Sequence, residues 1–165
     1  MNAVFAFECF ADGDVFLVLR DSCQLPIAKR HAGSQGEVVN AVIQGRAQIG
    51  MVDEDPMSTH HGARERMKLI HISQDIDLRE QSERHLIVIK PELEECFLRS
   101  ASLVDFKSTL SPHAGELRRR LGRERSKDHE AFRRELLEVH RLGKERRVRT
   151  FIEEIVELLR KVLHA

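Results

Sequence analysis

The chain has 165 residues, 41% of them hydrophobic, with no Trp or Tyr and with 27 basic residues balanced by 27 acidic ones, which bounds it to one core-forming domain or one domain with a small appendage. No run approaches the roughly 18 consecutive apolar residues of a membrane span, and the segment from Met1 to Phe10 lacks the basic flank of a secretory signal, so a cytoplasmic protein with no membrane association is expected. Three widely spaced cysteines, Cys9, Cys23 and Cys96, suggest neither a disulfide framework nor a paired zinc motif.

Charge is uneven along the chain. Residues 1–110 carry 12 Lys and Arg against 17 Asp and Glu, and residues 111–165 carry 15 against 10. An acidic part suited to holding metal therefore precedes a basic part suited to phosphate or to an acidic partner.

In chain order, residues 3–7 form a short apolar run that reads as a buried strand ending at Glu8. Beyond Asp12-Gly13-Asp14, the spacing of Val15, Phe16, Val18 and Leu19 predicts a helix that Asp14 can cap and Pro26 stops. Residues 26–31 fit a second strand, and the turn Gly33-Ser34-Gln35-Gly36 leads into a helix with Val38, Val39, Val42 and Ile43 on one face, ended by Gly45. Residues 47–52 form a third strand, followed by Asp53-Glu54-Asp55-Pro56, where proline prevents a central strand from continuing.

Apolar runs at 68–72 and 85–89 bring the count to four or five strands, with a polar connection over 73–84. Strands alternating with helices imply an α/β fold with a mostly parallel sheet flanked by helices. Pro91 suits the first position of a further helix running to Ser100, on which Glu94 is the one acid of the core-facing side, between Phe97 and Leu98.

From Ser111 the pattern is helical throughout. Ser111-Pro112 opens a helix that Gly122 ends, Phe132, Leu136, Val139 and Leu142 stripe a second that Gly143 ends, and Thr150 with Glu153 forms a capping box for a third. Residues 1–105 are thus expected to form an α/β domain, with 106–165 a basic helical subdomain packed on it.

In open α/β sheets ligands bind outside the carboxyl ends of the strands. Glu8 ends the first strand and Asp53-Glu54-Asp55 the third, so two acidic groups meet at one edge. From an extended backbone, Asp53 and Asp55 point the same way and offer the hard oxygen ligands that Mg²⁺ prefers, while Glu54 faces away. The bland alternative is that both are solvated loop carboxylates.

Glu8-Cys9-Phe10-Ala11-Asp12 before a helix, Gly33-Ser34-Gln35-Gly36 before another, and Gly50-Met51-Val52-Asp53-Glu54-Asp55-Pro56 together resemble the Toprim superfamily. The likeness is to small Toprim-like proteins related to the RloB and OLD groups of prokaryotic defence systems, and it covers about residues 1–105. It implies that Glu8 matches the superfamily's acid/base or metal-site glutamate, and that Asp53 and Asp55 match its Mg²⁺-binding Asp-x-Asp pair. Cys9 stands where the related sequences carry glycine, with Asp12 retained. Pro91-Glu92-Leu93-Glu94 resembles a Pro-x-aromatic-Glu segment of the RloB-like proteins, with Leu93 in the aromatic position, which makes Glu94 a further acid.

The resemblance implies a Mg²⁺- or Mn²⁺-dependent nuclease, or a related phosphoryl-transfer enzyme, acting on DNA or RNA in antiviral defence. Its metal residues would be Glu8, Asp53 and Asp55, and its catalytic residues Glu8, Asp12 and Glu94. The alternative is a Toprim-like subunit of weak or no activity that binds a larger protein partner, nucleic acid or a second copy of itself; a third is an enzyme of small phosphorylated molecules, served by the Gly33–Gly36 turn. His60-His61 reads as a surface pair rather than a metal site. The basic residues from Arg118 to Arg125 and from Lys144 to Arg149 read either as a phosphate-backbone track or as a salt-bridged helical face, and Phe132 and Phe151 fall in apolar stripes, leaving no evident base-stacking platform.

Overall fold

The computed structural model describes residues 4–24, 28–55 and 61–163; Ala3, Pro26, Pro56 and His60 lie outside them. The first half runs β1 (Val4–Phe7), α1 (Phe10–Cys23), β2 (Ala28–His31), α2 (Gln35–Ile43) and β3 (Ile49–Asp53). It continues through α3 (His61–Glu65), β4 (Lys68–Ile72), β5 (Ile76–Gln81) and β6 (Arg84–Ile89) to α4 (Leu93–Leu103), α5 (Ala114–Leu121), α6 (Asp128–Arg146) and α7 (Phe151–Leu163).

The fold is α/β, with six strands in the order β2-β1-β3-β6-β5-β4. β1 lies parallel to both β2 and β3, and β3 parallel to β6; β5 and β4 close that side as an antiparallel meander. The sheet thus has one strand more than expected. β5 arises inside the stretch read as a polar connection, where Ile76 and Leu78 alternate inward from a strand otherwise half exposed. Its turn into β6 uses Ser82 and Glu83, both at positive φ (51° and 61°), a conformation usually left to Gly and Asn.

Strand alternation sends Phe5, Phe7, Ile49, Met51, Ile87 and Ile89 to one face and Ala6, Val52, Leu86 and Val88 to the other. The first face carries the larger core, built against α1 and α4 to α7, with Phe16, Phe97, Phe132 and Phe151 buried within it. Full burial of each ring contributes about 1.5–3 kcal/mol relative to exposure. The second face is covered by α2, which Gly50 allows close: a Cβ there would stand 2.7 Å from a Val42 methyl and 2.8 Å from a Val38 methyl.

Three local expectations are corrected. α1 begins at Phe10, not after Asp14, with Cys9 as its N-cap, so Asp12, Gly13 and Asp14 lie within its first turns. Pro91 precedes the N-cap Glu92 rather than opening α4, which starts at Leu93 and runs to Leu103. α6 passes through Gly143 and ends at a left-handed Arg147; Gly143 instead admits Thr150, whose methyl would lie 2.7 Å from any Cβ. The Thr150 cap is present, its hydroxyl accepting from the Glu153 N–H (3.3 Å).

β2 is an edge strand exposed along its length, and β4, the opposite edge, has a register shift after Leu69 and exposes Leu69, Ile70 and Ile72. No described helix is long and apolar enough to cross a membrane.

Candidate functional site

The carboxyl ends of β1 and β3, with the first turns of α1, α2 and α4, surround one acidic group. Glu8 follows β1 and is half-buried. Burial raises its carboxyl above the ordinary range; hydrogen bonds from the N–H groups of Asp53 and Gln35 oppose the rise, and the charge of Asp55 adds to it.

Asp12, at the third position of α1, is fully buried, and its Oδ2 accepts from the Cys9 N–H (3.0 Å). Its Oδ1 has no hydrogen-bond partner among the described residues. Burial pushes this carboxyl up; hydrogen bonds from Cys9 and Glu8 restrain it, while the Glu8 charge pushes it further.

Asp53 ends β3. Alternation with Ile49 and Met51 turns it toward α1 and α4, where its Oδ1 accepts from the Leu93 N–H at the start of α4 (3.0 Å). Burial and then the charges of Asp12, Glu94 and Glu8 push its carboxyl well above the usual range. Glu94, on the next residue of α4, is 3% exposed, and burial followed by repulsion from Asp12 takes its carboxyl up to about 7.

All five expected acids are thus linked by repulsion, Asp55 through Glu8. Asp55 does not follow the expected extended path: its φ of 26° is left-handed, so the chain turns after Glu54 and leaves Asp55 exposed, within electrostatic reach of Glu8. Glu54 donates its N–H to the Ile89 carbonyl (2.7 Å), and its charge acts on Arg64. The Cys9 thiol is pushed far up by burial and by Asp12, Asp53 and Glu94, which leaves it a neutral wall and not a thiolate ligand.

One residue of the site was not anticipated. Gln35, first in α2, donates its side-chain N–H to the Asp53 carbonyl (2.5 Å), and its Oε1 is buried with no partner among the described residues. The turn from Gly33 to Gly36 thus directs an N–H toward Glu8, besides the Ser34 cap on Glu37 (3.3 Å). Glutamine directly after a serine N-cap is the only local signal of this role.

Among the described residues, no three His, Cys, Asp or Glu side chains form a ready-made metal-ligand set. The donor chemistry nevertheless fits a hard divalent cation. All the acids offer carboxylate oxygens, and one oxygen each of Asp12 and Asp53 is fixed by a backbone N–H. The orphaned Oδ1 of Asp12 and Oε1 of Gln35 are buried acceptors, and a cation would meet both them and the mutual repulsion.

Of the basic residues of the C-terminal part, some are ion-paired and others, Arg134, Lys144 and Arg147 among them, have no ion-pair partner among the described residues. Arg118 pairs with Glu92, Arg120 with Asp128 (3.0 Å), Arg146 with Asp105 (3.1 Å) and Arg149 with Glu157 (2.8 Å). Arg123, Arg125 and Lys127, in the loop between α5 and α6, have no acidic partner among the described residues. No protein-family model, no curated protein and no solved structure matches the chain.

Proposed function

We infer that this chain is a Mg²⁺- or Mn²⁺-dependent phosphoryl-transfer enzyme acting on nucleic acid, of the Toprim-like kind that its motifs resemble. The observation that carries this reading is the convergence of Glu8 at the end of β1, Asp12 of α1, Asp53 of β3 and Glu94 of α4 at the carboxyl edge of the parallel strands, with their carboxyls raised by burial and by neighbouring acids. Buried like charges are costly, and a dication bound among them is the simplest compensation.

Glu8, Asp53 and Asp55 are the residues that would hold the metal, which when bound polarises a phosphoryl oxygen and lowers the pKa of a bound water. Glu8 is accessible at the rim and its raised carboxyl lies closer to neutrality than an ordinary glutamate, which suits it to take or return a proton. Asp12 and Glu94 are supporting acids that set the charge behind the rim. Gln35 and the Leu93 N–H fix the Asp53 main chain and side chain, so that one carboxylate oxygen is left to face the site. The resemblance to the RloB and OLD groups suggests antiviral defence as the setting.

A competing reading is a Toprim-like subunit of weak or no activity that docks a partner; Cys9 at the usual glycine position and the exposed turn at Asp55 favour it. Calorimetric titration with Mg²⁺ or Mn²⁺, with and without a short oligonucleotide, separates the two. Binding by the wild type that is lost in the Asp53→Ala, Asp55→Ala double variant is the expected result. No binding by either protein, even with nucleic acid present, would refute the enzyme and favour the docking subunit.

A further inference from the structure

Beside the acidic group, toward β2, lies a cavity of about 320 Å³ walled by Phe7, Phe10, Lys29, His31, His129 and Arg133. It opens on the same strand edge, because Phe7 and His31 are paired across the parallel ladder and Phe10 is the first residue of α1, two positions before Asp12. Its volume is in the range of small-ligand sites.

The cavity is lined by flat rings and by charges of both signs, Lys29 and Arg133 against Asp14 and Glu124. The Phe10 ring stacks on His31, with centroids 4.6 Å apart and planes 24° apart, and meets His129 edge-on at 6.3 Å. His31 also meets the Phe7 ring at a tilt of 41°, with centroids 5.6 Å apart, and is itself exposed to solvent. Behind them, His129 reaches Asp14 through Nδ1 (2.5 Å) and the Arg123 carbonyl through Nε2 (2.7 Å), which fixes the plane of its ring. Arg133 is held by the other oxygen of Asp14 (2.7 Å). Lys29 has no acidic partner among the described residues and leaves its charge for a ligand. Arg123 links this wall to the loop that carries Arg125 and Lys127.

A stacked aromatic pair with a lysine at its rim is the chemistry of a nucleotide: the base lies on the ring and the phosphate meets the cation. The rings belong to separate elements, β2 and α1, so no sequence stripe announces them. We propose that this cavity is a nucleotide subsite, with a base stacked on His31 and Phe10 and its phosphate at Lys29. A single strand passes from it to the acidic group on one side and to Arg123, Arg125 and Lys127 on the other. This rests on the reading of the acidic group as a nucleic-acid site.

The test is fluorescence anisotropy of labelled single-stranded oligothymidylate on the full chain, in chelator, with AMP and inorganic phosphate as competitors. Lys29→Ala and His31→Ala, both at exposed positions where the fold is not at stake, are each expected to weaken binding at least about fivefold. Arg20→Ala, on α1 beyond the cavity, should bind as the wild type does, and AMP should compete well where phosphate competes poorly. Unchanged binding by both variants, equal competition by phosphate and AMP, or no binding by the wild type would overturn the subsite. Failure of the metal reading would instead appear in the Mg²⁺ titration, with this chelator-insensitive binding intact.

Discussion

Glu94→Gln isolates the cost of burying one acid in the site. The Glu94 carboxyl stands at about 7, against an ordinary value of 4.5, and the side chain is buried, so little of the effect is lost to solvent screening. A displacement of that size corresponds to ~3 kcal/mol between the protonated and ionised forms. Because the folded carboxyl holds its proton more tightly than the unfolded one, its contribution to stability is fully present below pH 4.5 and is lost as pH rises through about 7.

Metal-free wild type should therefore lose stability from about pH 5 to about pH 8. Asp12 and Asp53, raised in the same direction, add to the loss. Glutamine keeps the shape and cannot ionise. Relative to wild type, the variant should gain ~3 kcal/mol across that interval. Urea unfolding in chelator at a series of pH values measures it. A stability difference that stays flat with pH would refute the claim that Glu94 ionises against burial and Asp12.

Metal should reverse the same trend: Mg²⁺ ought to bind more tightly as pH rises, with proton release visible when calorimetry is repeated in buffers of different ionisation enthalpy. Asp14→Ala, which leaves Arg133 and His129 without their shared carboxylate between α1 and α6, is expected to cost about 3–5 kcal/mol in urea unfolding. Gly50→Ala should cost about 1–3 kcal/mol by driving a methyl into Val38 and Val42, read as a lowered midpoint of thermal unfolding.

Four of the six strands were legible as short apolar runs, whereas β2, Ala-Lys-Arg-His, is exposed and was expected only from its place between two helices; the edge that gathers Glu8 and Asp53 followed from the carboxyl ends of the first and third strands. β5 was not legible, since only Ile76 and Leu78 mark its inward face and its turn carries no glycine. Two glycines misled for one physical reason. Gly13 and Gly143 read locally as loop or stop, yet both sit inside helices because something distant packs on them: the Phe7 ring would be 3.0 Å from a Cβ at Gly13, and Thr150 2.7 Å from one at Gly143. A sequence announces that a side chain is missing, but not which neighbour fills the space.

The same limit governed the site. Glu94 was legible from helical phase, because its position on α4 fixes which way it faces. Gln35, the ion-paired Asp14 and the stacking of Phe10 on His31 depend on partners from other elements, and neither periodicity nor spacing reveals those.

The larger core has a consequence for how the molecule is made. The apolar cover over α1 comes in part from Phe132, Phe151 and Ile155, more than a hundred residues downstream. A ribosome extends the chain from its amino end at about 5–20 residues per second, so β1 and α1 exist for several seconds before α6 and α7 can close over them. During that interval the apolar face of α1 lacks the cover that α6 and α7 give it. The full core around the site is thus completed only after α6 and α7 emerge, although Glu8 and Asp12 are translated well before them.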